Sequence, residues 1–378
     1  MTLPAAFYFL FFSAAASLFP FLALYFQSSL GLSGGQIGLL SGLSPMVTLV
    51  GAPLWTGLAD ATHRHKSILV VAVCGTVSVV VILPSLTSFA WLIPFICLYA
   101  FLSSPIVSLV DSATMSLLGE RRDRYGRVRM WGTVGWGVVA PITGEVVERA
   151  GLQWSFWIYA ILLFTALLVA LPIPFRQSHA SAPFIHGLRT LLSNRRWMLF
   201  LGMVFVCGVG MATVNTYLFI YMESLGASKT LMGIALTIST VSELPVMFFS
   251  SRLLRRLHPR GVMALAMLVI GVRLLLYSLT SLPWFILLIQ LLHGLTFPAI
   301  WVAGVAYTAE NAPPGMSATA QGIFGSTLMG FGAASGGLLG GYLLDQAGPV
   351  VMYRIIGMAV LACLLLFSIL ERRLVTSK

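Results

Sequence analysis

The segment from Asp111 to Gly144 holds the side chains best suited to binding chemistry in an otherwise apolar sequence. Asp111 places a carboxylate in one apolar stretch, and a short basic segment follows it. Arg129 and Trp136 then lie seven residues apart in the next apolar stretch, close to two helical turns, so they share one face. An acid, a guanidinium and an aromatic plate together can bind a polar organic molecule. We therefore interpret this segment as half of a substrate site.

A second group of ionisable side chains, Glu243, Arg273 and His293, comes from three later apolar stretches. Ionisable residues within a membrane are costly, so each is a hypothesis about function. A carboxylate beside an arginine and a histidine can change its protonation when its surroundings change. Proton coupling requires that property. The alternative is a buried neutralising cluster that only fixes the helix register.

Other polar residues have weaker interpretations. Gln290, His293 and Thr296 follow at i, i+3 and i+6, so they share a helix face. For Asp111 and Arg129 the alternative is a structural ion pair, and for Trp136 it is packing or contact with lipid. The two loop histidines His63 and His65 are interpreted as solvated.

Composition excludes a soluble protein. Of 378 residues, 58% are hydrophobic and 9% are charged, whereas soluble domains average about 45–50% apolar and about 25% charged residues. The net charge of +11 comes from short basic loops between apolar spans, which indicates membrane topology and not a nucleic-acid-binding face. The four cysteines all lie in apolar runs and are interpreted as buried hydrophobic residues, not disulfides or metal ligands.

The sequence also lacks the motifs of enzymes and pumps. It contains no metal-ligand spacing, nucleophile elbow, hydrolytic dyad or GxxxxGK[ST] nucleotide loop. We therefore expect no enzymatic activity, no cofactor, no metal and no ATP-driven pumping.

Apolar spans of roughly 20 residues recur along the whole chain and predict an all-α membrane protein with twelve transmembrane helices. The predicted spans are 4–29, 34–58, 67–86, 89–117, 128–148, 153–174, 197–222, 228–251, 262–280, 283–309, 317–344 and 349–370. The longest polar connection, 175–196, divides the chain into two six-helix bundles, 1–174 and 197–378. The eleventh span is rich in glycine, which predicts close helix packing.

The distribution of basic residues predicts the orientation. All of the 22 lysines and arginines except Arg149, Lys229, Arg273 and Arg354 fall on one side of the predicted topology. Because cytoplasmic loops carry an excess of lysine and arginine, both termini are expected inside the cell.

The segment GLADATHRHK after the second span resembles a loop motif of the major facilitator superfamily. Gly57, Asp60, Arg64 and Lys66 match the glycine, acid and basic positions of that motif. The resemblance implies two pseudo-symmetric six-helix bundles and a conformational-switch loop at these residues. The histidines at the end of the segment are atypical.

One branch of this superfamily resembles the chain more closely. The segments YGRVRMWGTVGWG, FPFLALYFQSSLGLS and QLLHGLTFP resemble the lactose permease and phenylpropionate permease branch, which is MFS_1-like. The resemblance covers essentially the whole chain. It implies substrate binding by Asp111 and Arg129 with stacking on Trp136. It also implies proton coupling by Glu243, Arg273 and His293.

At two places this chain has different residues from lactose permease, which limits the functional roles that the resemblance implies. Thr296 stands where that protein has its proton-carrying carboxylate. Asn215 and Gln290 stand where it has an acid–lysine pair, and we assign both to substrate binding. Losing both charges together is physically consistent, because losing one would strand the other.

These observations predict a secondary active transporter of a small organic solute that works by alternating access. Proton symport of an aromatic carboxylate, a saccharide or a nucleoside is the leading hypothesis. A proton-coupled exporter or a uniporter is the alternative within transport. A receptor or assembly factor with a transporter fold is the alternative outside it. The expected partners are the substrate, protons and the lipid bilayer, with no nucleic acid. The expected form is a monomer in the inner (plasma) membrane.

Overall fold

The computed structural model describes residues 2–174, 193–312 and 316–376, and within them the regular structure is entirely helical. The α-helices are α1 Thr2–Ser28, α2 Gly34–Thr62, α3 His65–Ile82, α4 Phe89–Ser103, α5 Ile106–Leu118, α6 Tyr125–Ala150, α7 Trp154–Ala170, α8 Arg195–Ser224, α9 Lys229–Phe248, α10 Ser250–Leu279, α11 Pro283–Gln290, α12 Phe297–Asn311, α13 Ser317–Gly325 and α14 Ala333–Thr376. The predicted connection at 175–196 lies outside the described residues as far as position 192.

Nine helical segments of the described chain are long and apolar enough to cross a membrane. One of them, Thr319–Glu371, contains two predicted spans. Gly348 interrupts it with a φ of 76°, a left-handed conformation that glycine adopts without steric cost. The twelve predicted spans all lie on helical segments of the described chain, although the fourth covers both α4 and α5, and α6 and α7 are not among the nine. The architecture is consistent with the twelve-helix prediction.

Breaks within helices lie close to proline residues. α10 is broken at His258, directly before Pro259, because proline lacks an amide hydrogen and restricts the preceding residue. The tenth predicted span also changes conformation midway. It passes from α11 through a 3₁₀ turn at Leu291–Leu295 to Thr296, whose ψ is −89°, and α12 then begins ahead of Pro298.

The described chain divides into two compact units. Unit 1 comprises Met1–His179 and Met222–Thr237, and unit 2 comprises Ala180–Tyr221 and Ile238–Lys378. Helix α9 therefore contributes its first half to unit 1 and its second half to unit 2.

In unit 1, α1 packs mainly against α6 and α7. Small residues let α6 approach the first half of α9. A Cβ at Gly233 would lie 2.5 Å from the carbonyl oxygen of Ala140. Next to this contact the Thr237 hydroxyl donates to the carbonyl oxygen of Gly137, 2.7 Å away, and the Thr230 hydroxyl donates to Glu145 over 2.8 Å. These contacts join the two helices along about two turns.

In unit 2, α10 packs mainly against α14 and α12. The glycine-rich eleventh span winds as a π-helix over Ser326–Gly332. There a Cβ at Gly332 would lie 2.8 Å from the Cα of Gly208 in α8. The close packing predicted for this span is therefore present, and it depends on the absence of side chains at both glycines.

Candidate functional site

The polar core of unit 2 is a hydrogen-bonded set of five side chains that we call the arginine network: Glu243, Arg273, Tyr277, Gln290 and His293. Arg273 is 2% exposed. Its Nε donates to the Tyr277 hydroxyl over 2.9 Å, and its Nη2 donates to Gln290 Oε1. Its Nη1 lies 2.9 Å from His293 Nδ1. A buried guanidinium is tolerated here because each of its nitrogens has a partner.

The arginine network fixes the tautomer of His293. Arginine nitrogens are donors only, so His293 Nδ1 must accept the bond from Arg273 and carries no proton. The imidazole proton therefore lies on Nε2, which is 3.1 Å from Glu243 Oε1 and donates to it. A second proton on the imidazole would lie on Nδ1, where it would face an N–H group of Arg273, and two donors cannot form a hydrogen bond with each other. His293 thus relays an interaction from a fixed positive charge to a carboxylate while remaining neutral.

The break in the tenth predicted span brings His293 to this position. Gly294 has no side chain, and a Cβ there would lie 2.7 Å from the carbonyl carbon of Ser242. The amide of Gly294 instead donates to the Ser242 hydroxyl over 3.0 Å. The Thr296 hydroxyl donates to the carbonyl oxygen of His293 over 2.7 Å. These bonds satisfy backbone groups that the helix break frees, as an apolar environment requires.

The polar group of unit 1 involves four side chains that we call the tyrosine bridge: Tyr8, Phe12, Asp111 and Arg129. The Tyr8 hydroxyl donates to Asp111 Oδ1 over 2.5 Å. The Arg129 guanidinium carbon lies 5.1 Å from the centre of the Tyr8 ring and 4.1 Å from the centre of the Phe12 ring. Both distances are within the range of cation–π contacts.

Asp111 and Arg129 do not form an ion pair among the described residues, contrary to the pairing weighed from the sequence. Tyr8 stands between them, giving its hydroxyl to the acid and its ring face to the arginine. The aromatic partners of Arg129 are Tyr8 and Phe12, whereas Trp136 is half-buried on α6 and makes no ring contact with it. The binding roles of Asp111, Arg129 and Trp136 stay predictions.

Asn215 and Gln290, both assigned to substrate binding, form no hydrogen bond with each other in the described structure. Gln290 is 1% exposed and belongs to the arginine network. Asn215 is exposed on α8 and forms no hydrogen bond with that network. Thr296 is fully buried, and its hydroxyl lies 3.5 Å from Arg273 Nη1.

At the loop that resembles the superfamily motif, the partner of Asp60 is a histidine. His65 Nε2 lies 2.9 Å from Asp60 Oδ1, and the His65 side chain is only 12% exposed. The interpretation of His65 as solvated was therefore wrong. His63 is exposed, as expected, and ends α2 in the left-handed conformation. Neither Arg64 nor Lys66 forms an ion pair with Asp60 in the described structure.

Sequence analysis missed Tyr8, Phe12 and Tyr277. Tyr277 follows Arg273 by four residues, a spacing that places both on one helix face, so a helical projection would have found it. Tyr8 and Phe12 lie about a hundred residues before Asp111 in an aromatic-rich helix. No spacing rule connects them to α5 or α6.

Comparison with known proteins decides the family. A family model described as "MFS_1 like family" matches residues 2–355. The chain belongs to this family. This MFS_1-like chain is 29% identical over 365 residues to the maltose permease of Geobacillus stearothermophilus, covering 95% of this chain and 93% of that protein. It is 24% identical to the "Probable 3-phenylpropionic acid transporter" of Escherichia coli (strain K12), covering 92% of each.

The fold of the MFS_1-like chain matches a solved transporter. The crystal structure of the nucleoside transporter NupG superposes with a TM-score of 0.86 at 19% identity, covering 97% of this chain and 98% of that one. At that identity the match shows the fold. Together, family, relatives and fold identify a multi-pass membrane transporter of small solutes in the major facilitator superfamily, and they point away from an enzyme.

Proposed function

We propose that this transporter is a proton symporter in which Glu243 carries the coupled proton. The observation behind the proposal is the arginine network, in which one member can change its charge without losing the network. Arg273 remains charged at any physiological pH. His293 is held neutral because its Nδ1 accepts from Arg273. That leaves the Glu243 carboxyl as the group that can gain and release a proton.

The environment of Glu243 suits that role. Its side chain is 18% exposed, the larger exposure of the two partners, whereas the His293 side chain is 13% exposed. An ionised Glu243 accepts from His293 Nε2 and compensates the charge of Arg273 nearby. A neutral carboxyl can still accept that bond through one oxygen. A rearrangement that alters the distance between Glu243 and His293 would therefore favour proton uptake in one state and release in another.

The remaining assignments belong to the same proposal. The substrate contacts Asp111, Arg129, Trp136, Asn215 and Gln290 during alternating access between the bundles 1–174 and 197–378. Gly57, Asp60, Arg64 and Lys66 act as the conformational-switch loop. The asymmetry of lysine and arginine supports an orientation with both termini in the cytoplasm. A monomer in the inner membrane belongs to the same proposal.

The test is transport by the purified protein in proteoliposomes under an imposed pH gradient. Radiolabelled 3-phenylpropionate, maltose and uridine represent the three candidate substrate classes. Whichever is transported is then used with Glu243→Gln, which mimics a permanently protonated side chain. We expect this variant to exchange substrate across the membrane but to lose accumulation against a gradient.

Glu310→Gln is the matched control, because Glu310 is an exposed carboxylate on α12 outside the arginine network. It should accumulate substrate as the wild type does. Normal accumulation by Glu243→Gln would refute the assignment, and exchange-only behaviour of Asp111→Asn would move the coupling site to unit 1. Absence of flux for all three classes would favour the non-transporting alternative.

A further inference from the structure

We infer that Arg129 receives a carboxylate of the substrate, and that Tyr8 is the positioning residue that keeps Arg129 available for it. The inference rests on the proposed function, in which Arg129 contacts substrate. It selects one of the three candidate classes, the organic carboxylates. Its basis is the geometry of the tyrosine bridge.

The first observation is that Arg129 is not neutralised by its neighbour. Within the described residues it forms no ion pair and donates no hydrogen bond, and its contacts are the rings of Tyr8 and Phe12. The Asp111 carboxylate, the partner weighed for Arg129 in the sequence analysis, is occupied at Oδ1 by the Tyr8 hydroxyl. The Tyr8 phenol thus stabilises the acid, and the guanidinium keeps its charge and its donors.

The second step follows from the way aromatic rings contact a guanidinium. A ring that stacks on a guanidinium covers its face and leaves the N–H groups at its edge available in the plane. That edge is a planar fork of donors that matches the two oxygens of a carboxylate. Two neighbouring hydroxyl groups can also meet the fork, but they carry no charge, whereas hydrogen bonds between two ionised groups are roughly twice as strong as neutral ones. The arrangement at Arg129 therefore favours a bidentate anion over a neutral alcohol.

The third observation is that the local sequence makes room for this arrangement. Gly132 follows Arg129 by three residues, one helical turn along α6. A Cβ at Gly132 would lie 2.6 Å from Phe12 Cδ2 and 3.0 Å from Arg129 Nη1. The absence of a side chain lets Phe12 and Arg129 lie against the helix backbone, so α1 and α6 together shape the guanidinium site.

Charge balance supports the same class. The arginine network is neutral when Glu243 is ionised, because that charge offsets Arg273. A carboxylate bound at Arg129 and a proton bound at Glu243 add no net charge to the interior of the protein. A saccharide or nucleoside carried with a proton would add one positive charge to a medium in which charge is costly. Co-binding of an anion and a proton is therefore electrostatically favoured.

The first experiment measures equilibrium binding of 3-phenylpropionate to the purified transporter by calorimetry, with 3-phenylpropionamide as the neutral isostere. We expect the amide to bind about 10- to 100-fold more weakly, the range for losing a charge-assisted hydrogen bond. Arg129→Lys keeps the charge but not the fork, and it should weaken 3-phenylpropionate binding by about tenfold or more. Equal affinity for acid and amide would overturn the inference.

The second experiment tests Tyr8 through a rescue. Tyr8→Phe keeps the ring but frees Asp111, which can then pair with Arg129 and occupy the fork. We expect 3-phenylpropionate binding to weaken by about tenfold. The double variant Tyr8→Phe/Asp111→Asn removes the competing charge but keeps an amide that can still contact the substrate at position 111, so it should restore much of that binding. A merely structural role for Tyr8 predicts no rescue.

Tyr25→Phe is the matched control, because Tyr25 lies on the same helix and its hydroxyl donates to the carbonyl oxygen of Pro84 over 3.3 Å. It should leave binding unchanged. If maltose or uridine is transported with protons and 3-phenylpropionate does not bind, the carboxylate inference fails while the proposed symport stands. If 3-phenylpropionate binds in the expected pattern but is not transported, the proposed function fails instead.

Discussion

The two arginines of the membrane-embedded polar groups illustrate opposite uses of the same side chain. Arg273 is 2% exposed and has a partner at every nitrogen. Arg129 is half-buried, and among the described residues its partners are the aromatic rings of Tyr8 and Phe12. A fully partnered charge is part of the protein's own structure, whereas an unpartnered charge is available to a ligand. Whether the guanidinium has partners within the protein therefore distinguishes a coupling network from a recognition site better than residue type does.

The largest difference expected between the two arginines is in the stability of the variants that lack them. Arg273→Met removes the guanidinium donor to Gln290 and His293 and the positive charge that offsets Glu243, and we expect it to cost about 3–5 kcal/mol of unfolding free energy. Arg129→Met loses only cation–π contacts, about 0.5–1 kcal/mol at a partly exposed site. Denaturant unfolding in detergent micelles measures both.

Combining Arg273→Met with Glu243→Gln should recover part of the first loss, because the second change removes the uncompensated negative charge. Similar costs for Arg273→Met and Arg129→Met would contradict the distinction drawn between the two sites.

An intermediate effect concerns the glycine beside each group. A Cβ at position 294 would meet the backbone of Ser242, which cannot move aside easily, whereas a Cβ at position 132 would meet the side chains of Phe12 and Arg129. We expect Gly294→Ala to cost about 1–3 kcal/mol of stability. Gly132→Ala should cost less than about 1 kcal/mol but displace Arg129, which a loss of 3-phenylpropionate affinity would reveal. A larger stability loss for Gly132→Ala would show that the tyrosine bridge is the more rigid of the two.

The smallest effect comes from a hydroxyl within the arginine network. Tyr277 accepts from Arg273 and donates to Gln290 over 3.0 Å, so Tyr277→Phe should cost about 1 kcal/mol. The control is Tyr353→Phe, since the buried Tyr353 hydroxyl has no hydrogen-bond partner in the structure. It should be close to neutral. Thermal unfolding of the two variants side by side measures the difference. Equal melting temperatures would show that the Tyr277 hydroxyl adds no stability to the arginine network.

The fold was predictable from the sequence because apolar length and the positions of proline and glycine are local properties. The helix breaks at His258 and Gly348 follow directly from such residues. The association of Glu243, Arg273 and His293 was also anticipated, because few ionisable residues occur in the apolar spans and each needs a partner.

The tyrosine bridge was not predictable in the same way. Arg129 and Asp111 have opposite charges in consecutive spans, which suggests a direct pair. What separates them is Tyr8, an aromatic residue in a helix crowded with aromatic residues. Only tertiary packing distinguishes that tyrosine from its neighbours. The pairing of Asp60 with His65 instead of Arg64 likewise depends on how the loop turns, which the left-handed His63 determines.

The π-helix at Ser326–Gly332 also has a consequence for how the gene can vary in length. A π turn closes hydrogen bonds between residues five apart, so the segment holds one residue more than a continuous α-helix would. Deleting one residue there can restore an α turn and leave the flanking faces aligned. The same deletion within α14 would rotate every later side chain by about 100° about the helix axis. The eleventh span thus contains a position where a single-codon deletion can be absorbed locally.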